Sequence, residues 1–215
     1  MTTDTGEMTN SLAAQRAQLR VCSLLSFGLA AGILSRSRWG PLLDAPSLHA
    51  ADTIVAPVAL TYAVVSGVHA YVLASLNRFL HQAYGYRGAD RAVLAAVALL
   101  SVDVLADLLL AVTGASASHV YTAPLGLIVI SYSPLAYFGF AVVLIAFGYS
   151  LLRFPHELHG LLRPYAHVQI LTGALMAAPP VAGVWPLPAA VGHVLLGMLF
   201  SQLAASPSLL SPRQP

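Results

Sequence analysis

Lysine is absent from this sequence of 215 residues, and all ten basic side chains are arginine. Without a lysine amine no side chain can form a Schiff base, which removes one route of covalent carbonyl chemistry. Charge of either sign is scarce. Asp, Glu, Lys and Arg together make 8% of the chain, against roughly a quarter of an ordinary soluble domain. The formal net charge of +2 offers no basic patch for nucleic acid. Cysteine occurs once, as Cys22, so an internal disulfide and a thiol–disulfide relay are excluded.

What fills the chain instead is apolar: 58% of the residues. A soluble surface could not be hydrated with so little charge, whereas lipid-facing side chains should be apolar. The composition predicts an all-α, polytopic membrane helix bundle. A helix needs roughly 20 apolar residues to cross the hydrocarbon core. Six stretches meet or approach that length: 18–35, 53–76, 92–113, 126–152, 166–184 and 187–204. The fourth could instead be two helices, Val120 to Tyr132 and a second one after a break at Pro134, which would make seven. The polar residues 1–15 and the proline-broken 206–215 read as tails around a single transmembrane domain, 16–205.

Arginine placement favours six. Positive residues concentrate in short loops on the cytoplasmic side. With both termini cytoplasmic, Arg16, Arg20, Arg78, Arg87, Arg91, Arg153, Arg163 and Arg213 all fall inside, and only Arg36 and Arg38 fall outside. Trp39 is placed as an anchor at the outer interface. Gly28 and Gly32 on the first helix, and Gly192 and Gly197 on the last, predict close helix packing. Pro179, Pro180, Pro186 and Pro188 bracket the turn between the last two helices.

An ionisable side chain inside a span is costly and is a functional candidate for that reason. Four stand out: His69 on the second helix, Asp103 and Asp107 on the third, and His193 on the sixth. Ser66 lies one turn from His69. The two aspartates are four residues apart and so share a helix face. Two carboxylates that close, away from water, repel each other, which favours retention of a proton on one of them. At about 1.5 Å per residue, Asp103 lies about 18 Å along its helix from Arg91, and Asp107 about 24 Å. By the same measure His69 lies about 12 Å from Asn77, and His69 and His193 differ in depth by about 9 Å. That order of depths, His69, Asp103, His193, Asp107, suits a proton relay or a cation site.

Three functions of different class follow. The leading one is transport of protons, ions or a small solute through Asp103, Asp107, His69, His193 and Ser66. The second is an intramembrane metal-dependent enzyme or a haem-binding redox protein that uses the histidines. In that reading His156, His159, His167 and His81 are further candidates for a divalent metal, because histidines at i and i+3 can share an ion. Against it stands the estimated offset between His69 and His193, since haem ligands from facing helices should lie at one depth. The plainer reading of "HELHGLLRPYAH" (156–167) is a helix lying at the membrane interface. The third function is a structural or assembly subunit, with the aspartates bonding neighbouring helices through Ser66, Tyr62, Thr172, Tyr137 or Ser131. The expected partners are the lipid bilayer, other membrane subunits or further copies of the chain, and no nucleic acid.

Overall fold

A computed structural model describes residues 4–43, 51–113, 124–156, 158–178 and 184–206. Among them the chain forms six α-helices and no strand: α1 (Asp4–Leu43), α2 (Ala51–Tyr84), α3 (Asp90–Thr113), α4 (Pro124–Leu152), α5 (Leu162–Ala177) and α6 (Pro186–Ala205). Five of them, all but α5, contain stretches long and apolar enough to cross a membrane. The chain therefore has the build of a multi-pass membrane protein.

Each helix packs against its neighbours in the sequence, and α6 returns to α1. The result is a closed ring of up-and-down helices. Side-chain pairings fix the alternation. Asn77 near the end of α2 donates to Asp90 at the start of α3 at 2.9 Å, while Gly67 further up α2 faces Val104. The ring closes where the Ser23 hydroxyl of α1 donates to the Gly197 carbonyl of α6 at 2.8 Å. Phe27 lies across Gly197 at the same crossing.

The backbones of α4 and α5 approach closely. A Cβ on Gly148 would stand 2.6 Å from the Ala166 carbonyl, and one on Gly173 would stand 2.5 Å from the Ala141 carbonyl. These two contacts run in opposite directions along the pair, so α4 and α5 are antiparallel. Gly192 and Gly197 do lie at helix contacts, as the sequence suggests, whereas nothing stands within 4 Å of a Cβ on Gly28.

Several boundaries differ from the sequence reading. The first helix begins at Asp4, inside the stretch read as a tail. The fourth runs unbroken through position 134, without the break considered there; a proline can be accommodated in a membrane helix when neighbours satisfy the freed carbonyl. The fifth helix covers 162–177 rather than 166–184. It stops because Ala178 precedes Pro179, and a residue before proline is driven to extended backbone; Ala178 has φ −104° and ψ 94°. At 16 residues, α5 is about 24 Å long. Of the stretch 156–167 read as an interfacial helix, the described residues before Leu162 are turn and those from Leu162 on belong to α5, and His159 (φ 49°) and Gly160 (φ 69°) are left-handed. Glu157 and Arg213 lie outside the described residues, as do Pro179 and Pro180.

An aromatic knot ties the arginine-rich end. Tyr86, in the α2–α3 turn, donates its hydroxyl to the Ser150 carbonyl of α4. The rings of Tyr84 and Tyr86 both meet Phe154 edge-on, at 5.3 and 5.0 Å. Burial pushes the Tyr86 hydroxyl pKa up, and the Arg153 charge opposes it.

Candidate functional site: a polar cavity in one half of the ring

On α3 the buried positions Val93, Ala96 and Leu100 fall at helical spacing on one face. Asp103 and Asp107 continue that same stripe. The opposite stripe is apolar and exposed: Leu94 (72%), Leu105, Leu109 and Val112 (84%). A soluble helix would show the reverse, polar out and apolar in. The two acids therefore face the interior of the ring, and the lipid-facing stripe of α3 carries no charge.

The inward stripes of the other helices share a pattern. Each changes character part-way along. On α2, Ser66 and His69 give way to Leu73, Leu76 and Leu80. On α4, Ala136 and Phe140 give way to Phe147 and Leu151, and on α6 Ala189 and His193 give way to Leu196, Phe200 and Leu203. On α5, Thr172 and Gln169 give way to Tyr165 and Leu162. Because the helices alternate in direction, these leucines and aromatic rings meet in one half of the ring, the half that carries Arg16, Arg20, Arg78, Arg87, Arg91, Arg153 and Arg163. They pack there into a continuous core.

In the other half the side chains leave a cavity of about 240 Å³. All six helices contribute to its wall. Ser66, His69, Asp103, Asp107 and His193 all line it. The five intramembrane residues singled out by residue type and depth thus converge on one space.

The histidines form its floor. Their rings meet edge to face, with centroids 4.6 Å apart and planes at 78°. This corrects the offset of about 9 Å deduced from the sequence. The physical reason is the length of α2. It continues to Tyr84, eight residues past the assumed end, which places His69 about 22 Å from the helix terminus rather than 12 Å. His69 also meets the edge of Phe140 at 5.8 Å. His193 is 2% exposed. His69 Nε2 and His193 Nδ1 are buried and make no hydrogen bond among the described residues, although an unsatisfied buried polar atom costs about 1–3 kcal/mol. The α2–α3 pairing sets Asp103 at the level of Ser66, one turn above the histidines, with Asp107 a further turn above.

Among the described residues neither a three-ligand metal site nor a haem held between His69 and His193 finds a ready frame. Two imidazoles in edge-to-face contact leave no gap for a macrocycle between them. Among the described residues no three of His, Cys, Asp and Glu stand close enough to share an ion. The four remaining histidine candidates are not brought together as a ligand set. His156 meets Tyr84 with centroids 5.2 Å apart and planes tilted by 35°. His159 is exposed in the left-handed turn, His81 lies at the end of α2, and exposed His167 makes a 2.8 Å hydrogen bond through Nδ1 to the Arg163 carbonyl.

Sequence reasoning named Tyr137 and Thr172 only as possible bonding partners of the aspartates, and it missed Trp185, Phe140 and Gln169. Trp185, Tyr137 and Phe140 give the wall an aromatic side, and Gln169 and Thr172 add amide and hydroxyl groups. The Tyr137 and Trp185 rings lie 6.3 Å apart at 72°. An aromatic residue in an apolar helix carries no signal of its own, so only the tertiary arrangement assigns these residues to the site. No protein-family model matches the chain, and neither a curated protein nor a solved structure shows a significant likeness to it.

Proposed function

We propose that this chain is a six-span transporter that moves protons or a proton-coupled small solute, with Asp103 and Asp107 as the protonatable site and the His69–His193 pair beneath it. The observation that carries this reading is the convergence of Ser66, His69, Asp103, Asp107 and His193 on one cavity lined by every helix of the ring. A binding space at mid-bilayer depth, open structure on one side and dense packing on the other, is what one state of an alternating-access cycle requires. The packed half would have to part for a proton or solute to pass. Both termini lie on the arginine-rich side in this reading, which the positive-inside rule assigns to the cytoplasm.

The test is proton entry into liposomes carrying the purified protein. The readout is a lumenal pH dye under an imposed potential, alone and with a panel of amines, acids and neutral solutes outside. Wild-type protein should exceed protein-free liposomes in at least one condition. Replacing both acids, Asp103→Asn with Asp107→Asn, should lower that rate at least tenfold with the unfolding transition retained. Equal rates in the double variant, or no wild-type flux in any condition, would overturn the proposal.

A further inference from the structure

A second hollow lies on the outside of the ring, in the seam between α2 and α3 at the arginine-rich end. It is an open groove of about 630 Å³. Its α2 wall runs from Ala74 through Arg78 to Gln82, and its α3 wall from Val97 through Leu94 to Asp90. The lining positions recur every three or four residues, so each wall is one helix face. Both walls change from polar to apolar along the bilayer normal. Ala74 lies about 12 Å below Gln82 on α2, at the apolar end with Val97. Leu94 is 72% exposed, so this end of the groove opens toward lipid and not into the ring.

The mouth of the groove is positive. Arg78 lines it. Arg91 stands one turn beyond Leu94, on the same face of α3. Arg87 belongs to the turn that joins the two helices, where its carbonyl accepts from the Asp90 N–H at 3.2 Å. All three arginines are exposed. The opposing charge is Asp90. Its carboxylate accepts from the Asn77 amide at 2.9 Å, and it sits at the start of α3, where the helix dipole favours a negative group. Three cations against one acid leave an excess of positive charge with His81 neutral.

A guanidinium matches a phosphate through parallel N–H donors. A free phosphate would use the mouth alone and leave the apolar end in contact with whatever lipid passes. An amphiphile with an anionic head fits both levels at once. Basic pockets between membrane helices, at the headgroup level, are where such lipids are recognised.

We infer that the α2–α3 seam binds an anionic phospholipid from the leaflet at the arginine-rich end, with its phosphate at Arg78 and Arg91 and an acyl chain along Leu94 and Val97. The lipid bridges the two helices that carry His69, Asp103 and Asp107. The site does not depend on what the ring transports, so it stands or falls apart from the transport reading.

Native mass spectrometry of the purified full chain, titrated in a neutral detergent, reads the bound fraction of each probe. The probes are dioleoyl phosphatidylglycerol, dioleoyl phosphatidylethanolamine, whose ammonium group suits Asp90, and glycerol phosphate, a head without chains. Phosphatidylglycerol should bind at least fivefold more tightly than phosphatidylethanolamine and at least tenfold more tightly than glycerol phosphate. An arginine beside anionic headgroups is worth about fivefold in binding, so Arg78→Gln with Arg91→Gln should weaken phosphatidylglycerol at least fivefold. Arg20→Gln with Arg163→Gln, the same loss of charge on α1 and α5, should leave it within about twofold. Asp90→Asn should tighten it about threefold. The wild-type series decides even if a variant fails to fold. Equal or tighter binding of phosphatidylethanolamine, or glycerol phosphate bound as tightly as phosphatidylglycerol, overturns the inference. So does an equal loss in the two arginine pairs, or weaker binding in Asp90→Asn.

Discussion

The two cavity histidines pack directly on one another. Their rings touch at 4.6 Å, so each is part of the other's surroundings, and removing one changes what the other can bond. Residues in contact show interaction energies of about 0.5–3 kcal/mol in double-mutant cycles. His69→Ala and His193→Ala should therefore be non-additive in thermal stability by an amount in that range. The cycle is measured by unfolding in detergent. Strict additivity would mean that the rings do not meet. The aspartates were legible in the sequence because an acid in an apolar run is conspicuous. The contact between the histidines was not, because it depends on where α2 ends, and helix termini are the least determinate feature of an apolar sequence.

At the scale of the element, the α4–α5 pair shows how little bulk separates two helices here. Gly148 and Gly173 each face a carbonyl of the opposing helix across a gap too small for a methyl group. In a membrane such close approach replaces hydrophobic burial as the source of association. Gly148→Ala and Gly173→Ala should each destabilise the protein by about 1–3 kcal/mol, the usual cost of overpacking. Gly28→Ala, where a Cβ meets nothing within 4 Å, should be neutral or stabilising by up to about 1 kcal/mol through helix propensity alone. Thermal unfolding of the three variants side by side checks this; equal effects at all three positions would contradict the packing account. The sequence pointed to Gly28, Gly32, Gly192 and Gly197, and not to Gly148 or Gly173. A lone glycine does not announce its neighbour on another helix.

At the scale of the whole molecule, the ring has two halves that differ in packing. Closely packed side chains fill one, and a cavity lined by acids, imidazoles and aromatic rings occupies the other. Cys22 lies in the packed half and is fully buried, so the wild-type chain contains its own control for accessibility. A small charged thiol reagent should leave wild-type protein unmodified and should label Ser66→Cys, which faces the cavity. Added to sealed vesicles of known orientation, the reagent should reach Ser66→Cys from the side opposite the arginine-rich end. Mass spectrometry of the intact protein reads both results. Modification of Cys22 in the wild type, or a silent Ser66→Cys, would count against the two-halved ring.

The sequence by itself determined the class of molecule: too little charge to solvate a surface, apolar runs long enough to span a bilayer, and acids where acids are expensive. Those are properties of single residues and of composition, and they survive any arrangement of the helices. Tertiary structure decided which faces turn inward, that α6 closes on α1, and that Ser66, His69, Asp103, Asp107 and His193 share one cavity with Trp185, Tyr137 and Phe140. In an apolar helix both faces are hydrophobic, so periodicity cannot distinguish the lipid side from the protein side. Only the packing of one helix against the next makes that choice.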